Sequence, residues 1–175
     1  MREALDLARK GRSLASPNPL VGAVVVREGE VVGRGFHTYA GLHHAELIAL
    51  ALAGDKARGS TLYLNLEPCS HHGRTPPCVD AIIQAGVKRV VAPISDPNPL
   101  VAGQGFAKLR EAGVEVEIAE DFTSEAEKLN EPFLHFMRTG RPLVTLKTAI
   151  TLDGKISAPD DNRGWITSER ARAHV

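Results

Sequence analysis

Four residues in the first half of the chain carry side chains that could bind a metal ion and move a proton. His44, Cys69 and Cys78 offer one imidazole and two thiols, and Glu46 follows the histidine by two positions. One histidine and two cysteines supply the three protein ligands of a catalytic zinc site that keeps its fourth position open to water. A carboxylate that is not itself a ligand can take a proton from that water and return it to a substrate. These residues therefore predict a zinc-dependent hydrolytic site in which Glu46 transfers protons.

The order of these residues follows a known pattern as far as the first cysteine. Zinc-dependent nucleobase deaminases carry His-x-Glu and then Pro-Cys-x-x-Cys, and the glutamate is not a zinc ligand. This chain has His44-Ala45-Glu46, but eight residues separate Cys69 from Cys78. We therefore expect the chemistry of a deaminase with a longer loop between the two thiols.

The two cysteines also allow a disulfide, a pair of buried apolar thiols, or a closed structural zinc site. The first residues of the chain lack the apolar stretch of a secretory signal, so we expect a reducing compartment in which a disulfide is disfavoured. A closed zinc site needs a fourth ligand, for which His43, His71 and His72 are the nearest histidines. We expect His43 to point away from His44, because adjacent helical side chains lie about 100° apart.

Composition bounds the size of the core and the kind of partner. A chain of 175 residues with 43% hydrophobic residues can bury one full core and the start of another. Its 21 basic and 21 acidic residues cancel, which argues against a protein that grips long nucleic acid. No apolar run reaches the ~20 residues that cross a bilayer. We expect a soluble, cytoplasmic protein with a small-molecule substrate and neither nucleic-acid nor membrane partners.

The elements around the four residues are predicted to bring them to one edge of a sheet. The apolar run 44–53 predicts a buried helix whose first turn holds His44 and Glu46. The β-rich run 61–66 predicts a strand that ends just before Cys69. Sites in open α/β sheets lie at the carboxyl ends of strands, which favours a site at this edge.

The second thiol is predicted to lie at the start of a helix. Pro77 suits the first turn of a helix over residues 78–85, and Gly86 suits its end. The positive end of the helix dipole favours a thiolate at Cys78.

The remaining pattern predicts a mixed central sheet flanked by helices. It consists of hairpin strands at 21–26 and 31–36, further strands at 87–93 and 114–119, and helices at 1–10, 105–111 and 124–138. The hairpin gives an antiparallel pair, and the alternation of strands and helices that follows gives a parallel portion.

After Pro142 the pattern restarts with a predicted strand at 143–150. Only about 35 residues remain, too few for an independent core. We therefore predict a first domain over 1–140 and the truncated start of a second over 141–175.

Longer motifs make the chain resemble the deaminase half of the bifunctional riboflavin-biosynthesis deaminase/reductase family. They are SPNPLVG at 16–22, GFH at 35–37, HAE at 44–46, EPCSHHGRTPPC at 67–78, DPNP at 96–99 and GQG at 103–105. The motifs LK at 146–147, TLDGK at 151–155 and WITS at 165–168 resemble the opening of the reductase half. The resemblance covers residues 1–139 for the deaminase, and the long loop between the cysteines is its most specific part.

The resemblance implies a three-layer α/β/α cytidine-deaminase-like fold and the hydrolytic removal of an amino group from a diaminopyrimidinone ribosylamine phosphate. It assigns His44, Cys69 and Cys78 to Zn²⁺ and Glu46 to proton transfer, as does the chemistry of these residues.

The resemblance also implies an NADPH-dependent reductase partner domain. By position, Ala149 and Trp165 would contact NADPH, and Arg163 would contact the reductase substrate. We further expect a homo-oligomer.

A phosphorylated ribosylamino-pyrimidine offers amide-like edges, hydroxyls and a dianion, so its pocket needs amides, a histidine and a cation. Residues in the proline-rich loops or at strand ends meet these needs: Asn18, His37, His71, Arg74 and Asn98. The alternatives are turn formation by the two Asn-Pro pairs, a purely structural role for His37, and a solvated loop for the others.

Two further functions stay open on the sequence. One is deamination of another nucleobase, such as cytidine, guanine or a tRNA adenosine. The other is a zinc-stabilised interaction module, in which Glu46 would have no role. Reductase activity by this chain alone is not expected.

Overall fold

The computed structural model describes residues 1–40, 43–71, 76–98, 101–156 and 165–174. The chain divides into two compact units, Met1–Leu143 and Val144–Val175. The first unit contains all the described strands, and its elements in chain order are α1 (Arg2–Arg9), β1 (Gly22–Arg27), β2 (Glu30–Phe36), α2 (Ala45–Ala53), β3 (Thr61–Leu64), α3 (Cys78–Gln84), β4 (Arg89–Ala92), α4 (Gln104–Glu111), β5 (Glu115–Ile118), α5 (Thr123–Leu129) and α6 (Glu131–Thr139).

The five strands form one mixed sheet in the order β2-β1-β3-β4-β5. Strand β1 pairs antiparallel with both β2 and β3, whereas β3, β4 and β5 are parallel. The β1–β2 turn needs only two residues, Glu28 and Gly29, both with positive φ (54° and 83°), as in the tight turns that match the twist of a hairpin. The predicted mixed sheet is confirmed.

Alternation along the strands places helices on both faces of the sheet. On β1, Ala23 and Val25 belong to the apolar cluster that contains residues of α2, α3 and α4. Val24, between them, packs with Ala4 and Leu7 of α1 on the other face. A residue and its neighbour on a strand point to opposite faces, so β1 is covered on both sides and the three-layer α/β/α fold is confirmed.

Helix α2 lies unusually close to β2 because two glycines face it. A Cβ added to Gly35 would lie 2.2 Å from the carbonyl oxygen of Ala45, and one added to Gly33 would lie 2.1 Å from that of Ala49. A side chain at either of these two positions of β2 would therefore collide with the backbone of α2. The contact holds the first turn of α2, with Glu46, against the sheet.

The predicted helix over 124–138 is two helices, so this prediction is wrong in part. Helix α5 ends at Leu129 and α6 starts at Glu131, on either side of the buried Asn130. Pro132 has no N–H for the helical ladder, and its ring disfavours a continuous helix through the preceding turn. The Asn130 side chain instead binds the backbone of Leu20: its Oδ1 accepts from the amide (2.7 Å) and its Nδ2 donates to the carbonyl (3.0 Å).

The predicted strand at 143–150 is absent from the structure. The described part of the second unit contains one short helix, α7 (Glu169–Ala173), and no strand. A strand needs a neighbour to complete its backbone hydrogen bonds, and Val144 and Leu146 are 85% exposed. Within the described residues, no helix of either unit has the length and apolar character to cross a membrane.

Replacement of Asn130 by alanine should destabilise the first unit by about 2 kcal/mol, because this buried side chain then loses both of its hydrogen bonds to the Leu20 backbone. Urea unfolding of the full chain measures the change. The matched control is Glu131→Ala, an exposed neighbour, which should change the free energy of unfolding by less than about 0.5 kcal/mol. Equal losses in both variants would contradict the anchoring role of Asn130.

Candidate active site

Three elements converge at the carboxyl end of β3. His44 is the residue that precedes α2 and has an extended backbone (φ −72°, ψ 154°), rather than lying within the first turn as predicted. Cys69 follows β3, as predicted. Cys78 is the first residue of α3, and Pro77 caps that helix instead of entering it. The offset of His44 matters, because a residue outside the helix can turn its side chain across the helix end.

The side chains of His44, Cys69 and Cys78 form a compact group. His44 Nδ1 lies 3.0 Å from Cys78 Sγ and 3.5 Å from Cys69 Sγ. The three ligand atoms lie within 4.8 Å of one another. Zn–N and Zn–S bonds at tetrahedral angles separate nitrogen and sulfur by about 3.5 Å, so the group has dimensions that suit a zinc ion.

The backbone of α3 holds Cys69 next to Cys78. The Cys78 amide donates to Cys69 Sγ (3.3 Å), and the Val79 amide donates to the Cys69 carbonyl (3.2 Å). Hydrogen bonding to Cys78 and His44 lowers the pKa of the Cys69 thiol. The bond to Cys69, together with burial, raises the pKa of the Cys78 thiol. The pair thus favours a thiolate, the form that binds metal, at Cys69. The predicted preference for a thiolate at Cys78 is wrong, because the bond to Cys69 and burial favour the thiol there.

Glu46 lies on the first turn of α2 beside this group and is only 4% exposed. Its Oε2 is buried and has no hydrogen-bond partner among the described residues. Burial, and the negative charge on Cys69, raise the pKa of the Glu46 carboxyl. A buried carboxyl oxygen without a partner is costly, so its presence beside three metal-binding atoms fits a role in proton transfer.

The contacts of the two cysteines bear on the alternatives of a disulfide, a pair of buried apolar thiols and a closed structural zinc site. Both cysteines are free thiols. Within the described ranges, the metal-binding group contains His44, Cys69 and Cys78 and no fourth ligand. His43 is exposed, as its predicted orientation requires. His72 lies outside the described residues. The three ligands that are described equal the number that a catalytic zinc site takes from the protein.

A cavity of about 430 Å³ opens over the group. It brings together four of the predicted substrate contacts: Asn18, His37, His71 and Asn98. His44, Glu46 and Cys69 also line it. The cavity therefore joins the metal-binding group to these loop and strand-end residues, all within the first unit.

His37 and Asn18 form a hydrogen-bonded pair at the cavity wall. His37 Nδ1 donates to the carbonyl of His43 (3.0 Å), because a carbonyl can only accept. Its Nε2 therefore accepts from Asn18 Nδ2 (2.9 Å), which leaves the Asn18 carbonyl oxygen for another donor. Burial lowers the pKa of His37, which is consistent with this neutral ring.

Of the four remaining predicted contacts, two are not described and two belong to the second unit. Arg74 and Arg163 fall outside the described residues. Ala149 and Trp165 belong to the second unit, where both are exposed and the Arg172 guanidinium lies 4.8 Å from the centre of the Trp165 ring.

Several cavity residues were not predicted from the sequence as site residues. They are Tyr39, Glu67, Asp96, Phe133, Phe136 and Met137. Glu67 and Asp96 lie inside the motifs EPC and DPNP, which were part of the resemblance. Nothing in the sequence was a reason to assign a function to either residue. Phe136 is 48% exposed and lines the cavity.

The fold and the site together define the class of zinc-dependent deaminases of the cytidine-deaminase type. Residues 1–94 match the family described as the cytidine and deoxycytidylate deaminase zinc-binding region, and the chain belongs to that family. Residues 142–175 match the RibD C-terminal domain.

The curated relatives that the chain matches are named riboflavin biosynthesis proteins. It is 53% identical to riboflavin biosynthesis protein RibD of Aquifex aeolicus over 177 aligned residues and 54% identical to that of Escherichia coli over 175. All of this chain is covered in both cases, but only 49% and 47% of the relatives. The chain thus spans about half the length of these relatives.

Solved structures agree with this relationship. Acinetobacter baumannii RibD is 48% identical with a TM-score of 0.89, over 98% of this chain and 48% of that one. A Thermotoga maritima diaminohydroxyphosphoribosylaminopyrimidine deaminase/5-amino-6-(5-phosphoribosylamino)uracil reductase is 46% identical with a TM-score of 0.90, over 99% and 50%. The resemblance seen in the sequence is confirmed.

Asp96 should make stability depend on pH. Burial, and the neighbouring Glu67 charge, raise the pKa of this carboxyl from 3.8 to about 6, although it accepts a hydrogen bond from the Asn98 amide. Between these values the folded chain binds more protons than the unfolded chain, so the free energy of unfolding falls as the pH rises. Asp96→Asn keeps the acceptor and removes the ionisation. Its stability relative to the original chain should increase by about 2 kcal/mol between about pH 4 and pH 7.

Urea unfolding of both proteins at matched metal content measures this difference, because contributions from zinc then cancel. An unchanged difference at the two pH values would show that Asp96 keeps an ordinary pKa in the folded chain.

Proposed function

We propose that this chain catalyses the hydrolytic deamination of 2,5-diamino-6-(5-phosphoribosylamino)pyrimidin-4(3H)-one, with zinc held by His44, Cys69 and Cys78. The observation that carries the proposal is the buried Glu46 oxygen, unpartnered among the described residues, beside three metal-binding atoms in one cavity. The choice of substrate is supported by the Thermotoga maritima protein, which is named as a deaminase of diaminohydroxyphosphoribosylaminopyrimidine. In the reaction a water oxygen forms a bond to the ring carbon, the bond to the exocyclic amino nitrogen breaks, and ammonia leaves. The product is 5-amino-6-(5-phosphoribosylamino)uracil.

A zinc ion held by these ligands would act as a Lewis acid and lower the pKa of water to near neutrality. The chain itself supplies the proton carrier. Glu46 Oε2 takes one proton of the attacking water and delivers it to the ring nitrogen of the substrate. It then carries the second proton, from the added hydroxyl, to the amino nitrogen, so that ammonia leaves and the ring carbon keeps a carbonyl oxygen. Its raised pKa suits this role, because a carboxyl with a pKa closer to neutrality both accepts and returns a proton readily.

Cavity residues are proposed to recognise the substrate. The Asn18 carbonyl oxygen, oriented by His37, faces a donor on the substrate. His71 Nδ1 is buried without a partner among the described residues, so it can bond a bound ligand. Asn98 also lines the cavity. We assign the substrate phosphate to Arg74, since the substrate carries a dianion and a guanidinium binds phosphate in a fork.

The longer relatives support a wider proposal for the whole protein. We propose that 1–140 is the deaminase domain and 141–175 begins a reductase domain that uses NADPH, with Ala149 and Trp165 at the cofactor and Arg163 at the substrate. The match of residues 142–175 to the RibD C-terminal domain supports this assignment. A homo-oligomer and a cytoplasmic location stay predictions from the sequence.

The zinc ligands can be tested with two adjacent histidines. His44→Ala should weaken zinc binding by at least about 100-fold, because one of the ligand bonds is lost. The exposed His43 should be replaceable by alanine without loss of metal. Metal analysis after dialysis against a zinc buffer measures both. Equal zinc content in the two variants would rule out His44 as a ligand.

Replacement of Glu46 by glutamine should leave the zinc content unchanged and lower ammonia release from the diaminopyrimidine phosphate by at least about 100-fold, since an amide cannot carry the proton. Glu30→Gln, at an exposed strand position, is the matched control and should keep full activity. Retained ammonia release in Glu46→Gln would exclude the proposed proton carrier. Preference of the original chain for cytidine, guanine or a tRNA adenosine would favour the deaminase alternative, and zinc binding without any turnover would favour an interaction module.

A further inference from the structure

Glu67 is a buried carboxylate that binds only backbone amides in the described structure. It is 3% exposed. Its Oε2 accepts from the amides of Asp96 and Gly103, both at 3.0 Å. Its Oε1 accepts from the amides of Gly105 (2.9 Å) and Phe106 (3.2 Å). Four N–H donors fill the acceptor sites that a carboxylate offers, so no cation is needed to stabilise the charge.

These bonds extend beyond the capping of one helix. Gly105 and Phe106 lie in the first turn of α4, where amides lack helical partners, and Gly103 precedes that helix. Asp96 lies before α4, in the loop that follows β4. A helix cap alone would leave the Asp96 amide unbound. The fourth bond therefore ties this loop to the helix through a single side chain.

The same side chain connects the loop to the metal-binding strand end. Glu67 lies two residues before Cys69, and its own amide donates to the Ile94 carbonyl (3.1 Å). A Cβ added to Gly105 would lie 2.2 Å from the Pro68 carbonyl oxygen, so α4 packs directly on this backbone. Glu67 and Pro68, which lead to Cys69, are thus held in fixed register with α4.

The loop that Glu67 holds reaches the cavity. Asp96 and Asn98 both line it, and Asp96 Oδ1 accepts from the Asn98 amide (2.9 Å). A shift of the Asp96 backbone would move both side chains relative to Cys69.

We propose that Glu67 is a positioning residue that sets the distance between the substrate-facing loop with Asp96 and Asn98 and the metal-binding Cys69. The inference rests on the proposed deaminase function and concerns substrate recognition at the same site. Glu67 contributes neither to metal binding nor to proton transfer. It fixes the cavity wall that carries Asp96 and Asn98. The substrate binds against this wall with its reacting carbon towards Cys69.

The test is Glu67→Gln in the zinc-loaded full chain. Glutamine has the same shape as glutamate, but an NH₂ group replaces one of the two carboxylate oxygens. Two of the four backbone amides then lose their acceptor, because NH₂ is itself a donor. The loop should loosen while the ligands stay. We expect an increase in KM of at least about tenfold, with kcat within about threefold and zinc content unchanged, because uniform substrate binding is lost.

The matched control is Leu109→Val, a buried change on α4 that leaves the four bonds intact. It lowers the stability of the same helix, and its KM should stay unchanged. If Leu109→Val raised KM as much as Glu67→Gln, general loosening of α4 would explain the effect and the positioning role would be overturned. If Glu67→Gln does not fold, Glu67→Asp, which keeps the charge but retracts it by one methylene, takes its place.

A second measurement does not depend on activity. Amide hydrogen exchange at Asp96, Gly103, Gly105 and Phe106 should accelerate by at least about tenfold in Glu67→Gln, since opening of the loop then costs less. Unchanged exchange would overturn the proposal even if KM rises. Failure of the original chain to release ammonia from the diaminopyrimidine phosphate would instead overturn the proposed function, while exchange would still show whether Glu67 holds the loop.

Discussion

The site depends on the close contact between helix α2 and strand β2. Gly33 and Gly35 of β2 place no side chain between the strand and the helix. The carbonyl oxygens of Ala45 and Ala49 in α2 therefore lie close to the strand backbone. This contact fixes the start of the helix over the strand ends. His44 and Glu46 are then carried to the place where β3 delivers Cys69. A metal-binding group made from distant segments needs such a rigid scaffold, because its ligand atoms must agree to within a fraction of an ångström.

Buried polar side chains stabilise the irregular segments that surround the cavity. Loops near a buried site carry amides and carbonyls that no sheet or helix satisfies, and an unsatisfied buried group is costly. Asn65 accepts from the Gly22 amide and donates to the Leu20 carbonyl, while Asn130 binds the same Leu20 backbone. Glu67 performs this function for the segment 96–106 with four amides. These three side chains therefore pair backbone groups that no strand or helix would satisfy.

Local pattern in the sequence was sufficient for most elements of the first unit. Two β-rich runs on either side of a polar turn predicted the hairpin, the apolar run after His44 predicted α2, and Pro77 predicted a helix start near Cys78. Local pattern was insufficient where contacts between distant residues determine the secondary structure. The break at Asn130 needs a partner, Leu20, that lies 110 positions away. The predicted strand at 143–150 has apolar residues of the right kind but no neighbouring strand in the described part of its unit.

The sequence by itself determined the chemistry of the site, because ligand type and proton transfer depend on side-chain identity. One imidazole, two thiols and a nearby carboxylate are the groups that a zinc-dependent hydrolytic centre takes from a protein. The tertiary structure alone decided the environment of those groups. It buried Glu46, placed His37 so that it orients Asn18, and gave Glu67 four amides from segments 29 to 39 positions away. Burial and hydrogen-bond partners arise from packing between distant segments, and no local pattern encodes them.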